Sequence, residues 1–196
     1  MDTLIFATNN QHKVDEMRAV IPGNFNVLSL KEAGLNIDIP EPHDTLEANA
    51  GEKSGTIQRL TGKDCFSEDT GLEVEALNGE PGVKSARYAS GDNRFADNTE
   101  KLLFNLENIT NRKARFRTVL SLVLDKKEYL FEGICNGRIA KEKMGSNGFG
   151  YDPVFIPDGS ESSFAEMDLP EKNKFSHRKK ALVKLVEFLN KRNGKS

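Results

Sequence analysis

The sequence predicts a mixed α/β (α+β) fold, and three observations carry that prediction. Short apolar runs of strand length lie near the N-terminus, in the middle and near residue 155. Stretches with apolar residues at helical spacing separate them. Two long alternating segments stand side by side in the chain between helices, as a strand meander does.

Residues 3–8 form a short apolar run into a polar turn at Asn9, Asn10 and Gln11. A helix is predicted over about residues 12–20, with Val14, Met17 and Ile21 on one face and Pro22 and Gly23 to end it. Residues 26–30 read as the next strand, and Pro40 and Pro42 make residues 37–43 a loop. Asp44 with Glu47 has the signature of a capping box, predicting a helix through about Leu60 with Leu46, Ala50 and Ile57 inward. Residues 65–77 are strand-like around a sharp corner at Glu68, Asp69, Thr70 and Gly71; beyond it Leu72, Val74 and Ala76 alternate with Glu73 and Glu75. After a turn at residues 78–82, a helix over about 98–107 turns Leu102, Leu103 and Leu106 inward. Strands over 115–124 and 128–138 meet at Lys126 and Lys127. The Gly-rich loop 145–150 leads into a strand around Val154 to Ile156, and a last helix from about Ser176 gathers Ala181, Leu182, Leu185, Val186 and Leu189.

Length and composition limit the class. The 196 residues suit one domain, or two lobes sharing one core, and need no disulfide or metal staple. At 37% hydrophobic and 30% charged the chain is globular in composition. No apolar run approaches the roughly 20 residues of a membrane span, and the start has no basic signal-peptide region. Cys65 and Cys135 lie far apart in no metal-like spacing and read as buried thiols of a reducing compartment, so a cytoplasmic location is expected. The net charge of −2 hides an imbalance: residues 171–196 carry +7 and everything before them −9.

Three constellations bear chemistry. Thr8, Asn9, Asn10, Gln11, His12 and Lys13 stand at a strand-to-helix junction, which is either an N-capping turn or an anion site with Lys13 as a point charge. Glu41 in the proline loop and Asp69 at the predicted corner are carboxylates of the kind that Mg2+-assisted phosphoanhydride hydrolysis requires; alternation turns Glu68 away from Asp69. Phe149 stands between Gly148 and Gly150, so its ring can clear the backbone and meet a flat partner. Downstream, Lys172, Lys174, Arg178, Lys179 and Lys180 crowd the predicted start of the last helix, against the helix dipole by roughly 0.3–1 kcal/mol each. A docked anion would resolve that conflict; so would plain solvation.

In this order the segments resemble the inosine-triphosphate pyrophosphatase family of non-standard purine nucleoside triphosphate pyrophosphatases. The resemblance runs from Leu4–Lys13 to Ser176–Ala181 and is most specific at Ser67–Val74, Pro81–Tyr88, Gly148–Pro153 and Ser176–Arg178. It implies hydrolysis of ITP, dITP or XTP to the monophosphate and pyrophosphate. It also implies an elongated, twisted mixed sheet flanked by helices, two lobes with a central cleft, Mg2+ as cofactor and a homodimer. Thr8 to Lys13 match the family's triphosphate segment, Asp69 its general base and metal ligand, and Glu41 a further metal position. Thr70 stands where the family often has serine. Phe149, Gly150, Tyr151 and Asp152 match its base loop; Lys172, His177 and Arg178 match its other nucleotide contacts. The family's Thr-Phe-x-Glu-Asn-Ala segment departs here: Ala48 replaces the glutamate, with Glu52 one turn further on the helix.

A sister pyrophosphatase for other bases remains open, as does a catalytically dead nucleotide sensor, which Asp69 argues against. A nucleic-acid binder using the basic terminal helix would explain the charge imbalance but neither Asp69 nor Phe149. The family reading therefore expects a nucleotide partner and no nucleic acid.

Overall fold

The computed structural model describes residues 2–192, apart from the His12 side chain. Among the described residues, strands β1 (Asp2–Phe6), β2 (Phe25–Leu28), β3 (Cys65–Val74), β4 (Pro81–Gly82), β5 (Lys113–Leu124), β6 (Lys127–Ile139) and β7 (Phe155–Pro157) form one mixed sheet. Its order is β2-β1-β3-β5-β6-β7, with β4 paired to β3. β1 runs parallel to β2 and β3; β4 is antiparallel to β3, and β7 to β6. The helices are α1 (Gln11–Arg18), α2 (Leu46–Thr61), α3 (Asn98–Asn105), α4 (Leu169–Phe175) and α5 (His177–Arg192).

The chain divides into two compact units, one holding the residues up to Asp69, Val119–Glu132 and the residues from Lys180 on, the other Thr70–Thr118 and Gly133–Lys179. Each has its own core. In the first, Leu4, Phe6, Val14, Met17, Phe66, Leu120, Leu122 and the apolar face of α5 pack together, with the Phe6 and Phe66 rings stacked at 4.3 Å. In the second, Leu72, Val74, Leu102, Phe116, Tyr151, Phe155 and Phe164 are the centre.

Local structure departs from the sequence expectations at four places. The predicted corner at Glu68–Gly71 does not exist: β3 runs unbroken through Asp69 and Thr70, and Gly71 keeps a negative φ. Asp, Thr and Gly favour turns in isolation, but the neighbouring strand β5 runs alongside and holds the segment extended, whereas β1 pairs with β3 only at Cys65 and Phe66. The cap of α2 is Thr45, whose hydroxyl accepts from the Ala48 N–H at 3.2 Å; Asp44 lies one residue outside, so no capping box with Glu47 forms. The β5–β6 hairpin turns at Asp125 and Lys126, both at positive φ (50° and 65°), a two-residue loop of the primed type whose twist suits the flanking strands; Lys127 already belongs to β6.

Helix α4 had no sequence forecast, although Asp168 caps it and Pro170 lies in its first turn. It also changes the charge argument. Lys172 and Lys174 occupy its last turn, where the dipole favours cations, so only Arg178, Lys179 and Lys180 stand at the opening of α5. Ser176 caps α5, as its position suggested, accepting from the Lys179 N–H at 3.1 Å. Both cysteines are buried free thiols. No helix among the described residues is long and apolar enough to cross a membrane.

Candidate active site

In the first unit, β1 ends at Phe6 and the chain crosses a polar turn into α1. Asn10 caps α1, its side-chain oxygen accepting from the Lys13 N–H at 3.2 Å, while its own N–H reaches Thr8 Oγ1 at 3.1 Å. Gln11 is spent locally, donating to Asp15 Oδ1 at 2.8 Å, and Asn9 holds the Lys31 N–H at 3.1 Å. The turn is thus an N-cap and also a cavity wall: Thr8, Asn9 and Lys13 line a cavity of about 320 Å³ together with Leu30, Ile37, Asp38, Ile39, Glu41, Lys53 and Glu68.

Charges converge in that cavity. Lys13 Nζ pairs with Glu68 Oε1 at 3.0 Å, so Glu68, turned away from Asp69 by strand alternation, anchors the lysine of α1. Lys53 Nζ, from the inner face of α2, donates to Glu41 Oε1 at 2.6 Å and to the Glu68 carbonyl at 2.7 Å, and pairs with Asp69 Oδ1 at 3.5 Å. Glu41, Lys53 and Asp69 are therefore one network. Lys53 is 8% exposed and Asp69 9%, so their attraction is little screened by solvent.

Sequence reading missed Lys53, yet the signal was there. Leu46, Asn49, Ala50, Lys53 and Ile57 recur at helical spacing, which places a lysine within the buried stripe of α2. A buried lysine has a reason. Glu52, one residue earlier, faces elsewhere: it accepts from Thr56 at 3.0 Å and Arg59 at 2.9 Å, and those bonds hold its carboxyl below the usual carboxylate range. It does not take the place of the glutamate missing at Ala48.

The second unit carries the other predicted residues. Thr70 Oγ1 bonds Thr118 Oγ1 across neighbouring strands at 2.8 Å. The loop between Gly148 and Asp152 is held shut at its base. Asp152 Oδ2 accepts both the Phe149 N–H (2.9 Å) and the Lys172 ammonium (2.6 Å). Gly148 is obligatory there: its φ is 80°, and a Cβ would collide with the Asp152 carboxylate. The consequence is an aromatic ring 83% exposed on a braced loop, with Lys172 Nζ 5.3 Å from its centroid. The Gly150 carbonyl accepts from Thr99 Oγ1 at 3.1 Å. Tyr151 points inward, its hydroxyl donating to the Ser85 carbonyl at 2.9 Å, and burial pushes its phenol up. It supports the loop from below. At the start of α5, the His177 imidazole lies parallel to the Phe116 ring, 5.0 Å between centroids, and Arg178 is half-buried beside it.

The mixed α/β sheet and its lysine–carboxylate cavity suit an anionic ligand, and relatives that match nearly the whole chain give its class, a hydrolase that acts on phosphoanhydride bonds. The model of the Ham1 family matches residues 4–188, and the chain belongs to that family. It is 50% identical over 190 residues to the dITP/XTP pyrophosphatase of Porphyromonas gingivalis (96% of this chain, 98% of that one). It is 48% identical over 185 residues to the enzyme of the same name from Flavobacterium psychrophilum (94% and 97%). Among solved structures, the Ham1 protein of Staphylococcus aureus superimposes with a TM-score of 0.91 at 38% identity, covering 97% of this chain and all of that one.

Proposed function

We propose that this chain hydrolyses non-standard purine nucleoside triphosphates (dITP, XTP and ITP) to the monophosphate and pyrophosphate, with residues 1–196 acting as one enzyme domain. The observation that carries the reading is the cavity where Lys13 and Lys53 stand against Glu41 and Glu68, with Asp69 paired to Lys53; the printed names of the relatives supply the substrate class.

A triphosphate brings about four negative charges, and two ammonium groups facing one cavity neutralise part of them. Asp69 is the general base. It takes a proton from water as the water oxygen bonds the α-phosphorus, and the bridging oxygen leaves with its electron pair as pyrophosphate. Thr8 and Asn9 offer polar contacts along the same wall. Glu41 and Asp69 already share one cation, the Lys53 ammonium, so the donor set suits a divalent ion as well. Mg2+, which needs only one or two carboxylates beside substrate oxygens, would be held by them and would supply further charge neutralisation.

Selection belongs to the second set. Phe149 stacks on any purine. Lys172, His177 and Arg178 present donors, which pair with a 6-keto oxygen and leave a 6-amino group facing donors. Supported by the family resemblance alone, the reading includes a homodimer, which light scattering in solution would test. Incubation of dITP with the protein and Mg2+, scored for dIMP and pyrophosphate, tests the reaction. Release of dIDP and orthophosphate would overturn it, because attack would then fall on the terminal phosphorus.

A further inference from the structure

Beneath the donors of the second unit lies a run of aromatic rings. Phe116, on β5, is nearly buried, and its ring is fixed on two sides: edge-on to Phe155 at 4.7 Å and 63°, and parallel to Phe164 at 6.1 Å and 13°. Phe155 and Phe164 are themselves almost fully buried and packed on each other at 5.1 Å. Phe116 therefore cannot turn without moving two core rings. One of its faces is covered by the imidazole of His177, parallel within 12°. Phe164 in turn lies 5.2 Å from Lys172 Nζ.

His177 opens α5 two residues after the end of α4, and its ring stacks on Phe116. A hydrogen bond from its ring weakens steeply once the donor angle falls below about 120°. An imidazole that could swing would therefore discriminate poorly between a keto oxygen and an amino group. We infer that Phe116 is a positioning residue for base selection: its locked ring fixes the plane in which His177 meets the 6-position of the purine. The inference rests on the reading of the base site given above. It assigns Phe116 no contact with substrate; the residue acts through His177.

The test compares kcat/KM for dITP and dATP in Phe116→Leu, Phe116→Tyr, His177→Ala and the double variant Phe116→Leu/His177→Ala. An aromatic pair's contribution corresponds to about a two- to tenfold change. Phe116→Leu should lower the dITP to dATP ratio by about that factor, through the KM for dITP more than through kcat, and Phe116→Tyr, which keeps the ring, should restore the ratio. In the His177→Ala background, Phe116→Leu should change the ratio no further, because coupled residues are not additive. Where Phe116→Leu does not fold, Phe116→Met takes its place. An unchanged ratio in Phe116→Leu beside a lowered one in His177→Ala would overturn the inference and leave the site reading standing. Equal losses with and without His177 would reduce Phe116 to packing and overturn it as well. An unchanged ratio in His177→Ala would remove the base-site reading itself, and the inference with it.

Discussion

The cavity of the first unit and the aromatic loop of the second solve opposite problems. Around Asp69, charged groups are withdrawn from water and satisfied by one another: Lys53 alone binds Glu41, the Glu68 carbonyl and Asp69. Around Phe149, an apolar ring is pushed into water and held there by polar bonds at its root, through Asp152, Lys172 and Thr99. Charged groups kept from water respond strongly to phosphate charge, because little solvent screens them. An exposed, braced ring offers a flat face that any base can cover. On the proposed reading, rate is concentrated in the first region and choice of base in the second. Substitutions in the two should fail differently.

The sharpest break is at Asp69. Asp69→Asn keeps the shape and removes the proposed base, so kcat for dITP should fall by roughly 10²–10⁴. Retention of a tenth of the wild-type kcat at saturating Mg2+ would move the role elsewhere. Because Asp69 lies inside β3 rather than on a loop, the same change should also lower the melting temperature by weakening the Lys53 network.

Next is Lys53, where stability and activity should fall together. Lys53→Met leaves Glu41 and Asp69 without their shared cation. Breaking a buried pair costs about 3–5 kcal/mol, and the partial exposure of Glu41 should hold the loss below that range. Denaturant unfolding reads it directly; a wild-type midpoint would show that the carboxylates need no cation.

Phe149→Ala should behave in the contrary way. Loss of stacking, about 1–3 kcal/mol per base, lowers kcat/KM roughly 5- to 150-fold, for dITP and dATP alike. Unfolding should shift by no more than about 0.5 kcal/mol, because the ring is exposed. A large loss of stability, or a loss confined to one nucleotide, would erase the contrast between the regions.

The smallest effect tests the interior of the first unit away from the cavity charges. Burial pushes the Cys65 thiol up to about 12. The unfolded thiol, at its ordinary value of 9.0, ionises first, so the folded state holds the extra proton between those values. Stability should accordingly decline as pH rises from about 9 towards 12, and Cys65→Ala should flatten part of that decline. Native protein at pH 8 should resist iodoacetamide at Cys65, as mass spectrometry would show. Rapid labelling would contradict the burial.

Much of this molecule is written in short-range pattern. The amphipathic spacing of Val14, Met17 and Ile21, the alternation of Leu72 and Val74 with Glu73, and the cap at Ser176 depend on neighbours within a few residues, and the sequence determined them by itself. So, too, did the glycines flanking Phe149 announce an outward-facing ring. Only tertiary structure decided the rest. It drew Asp69 and Thr70 into a strand against their turn propensity, because pairing with β5 outweighs a local preference. It brought Lys53 to Asp69 across 16 residues and to Glu41 across 12, partners that the helical spacing of α2 does not name. It placed Phe116 under His177 across 61 positions of sequence. Local propensities choose among a few backbone states, whereas a buried charge or ring chooses its partner by the field and shape of whatever the folded chain carries to it.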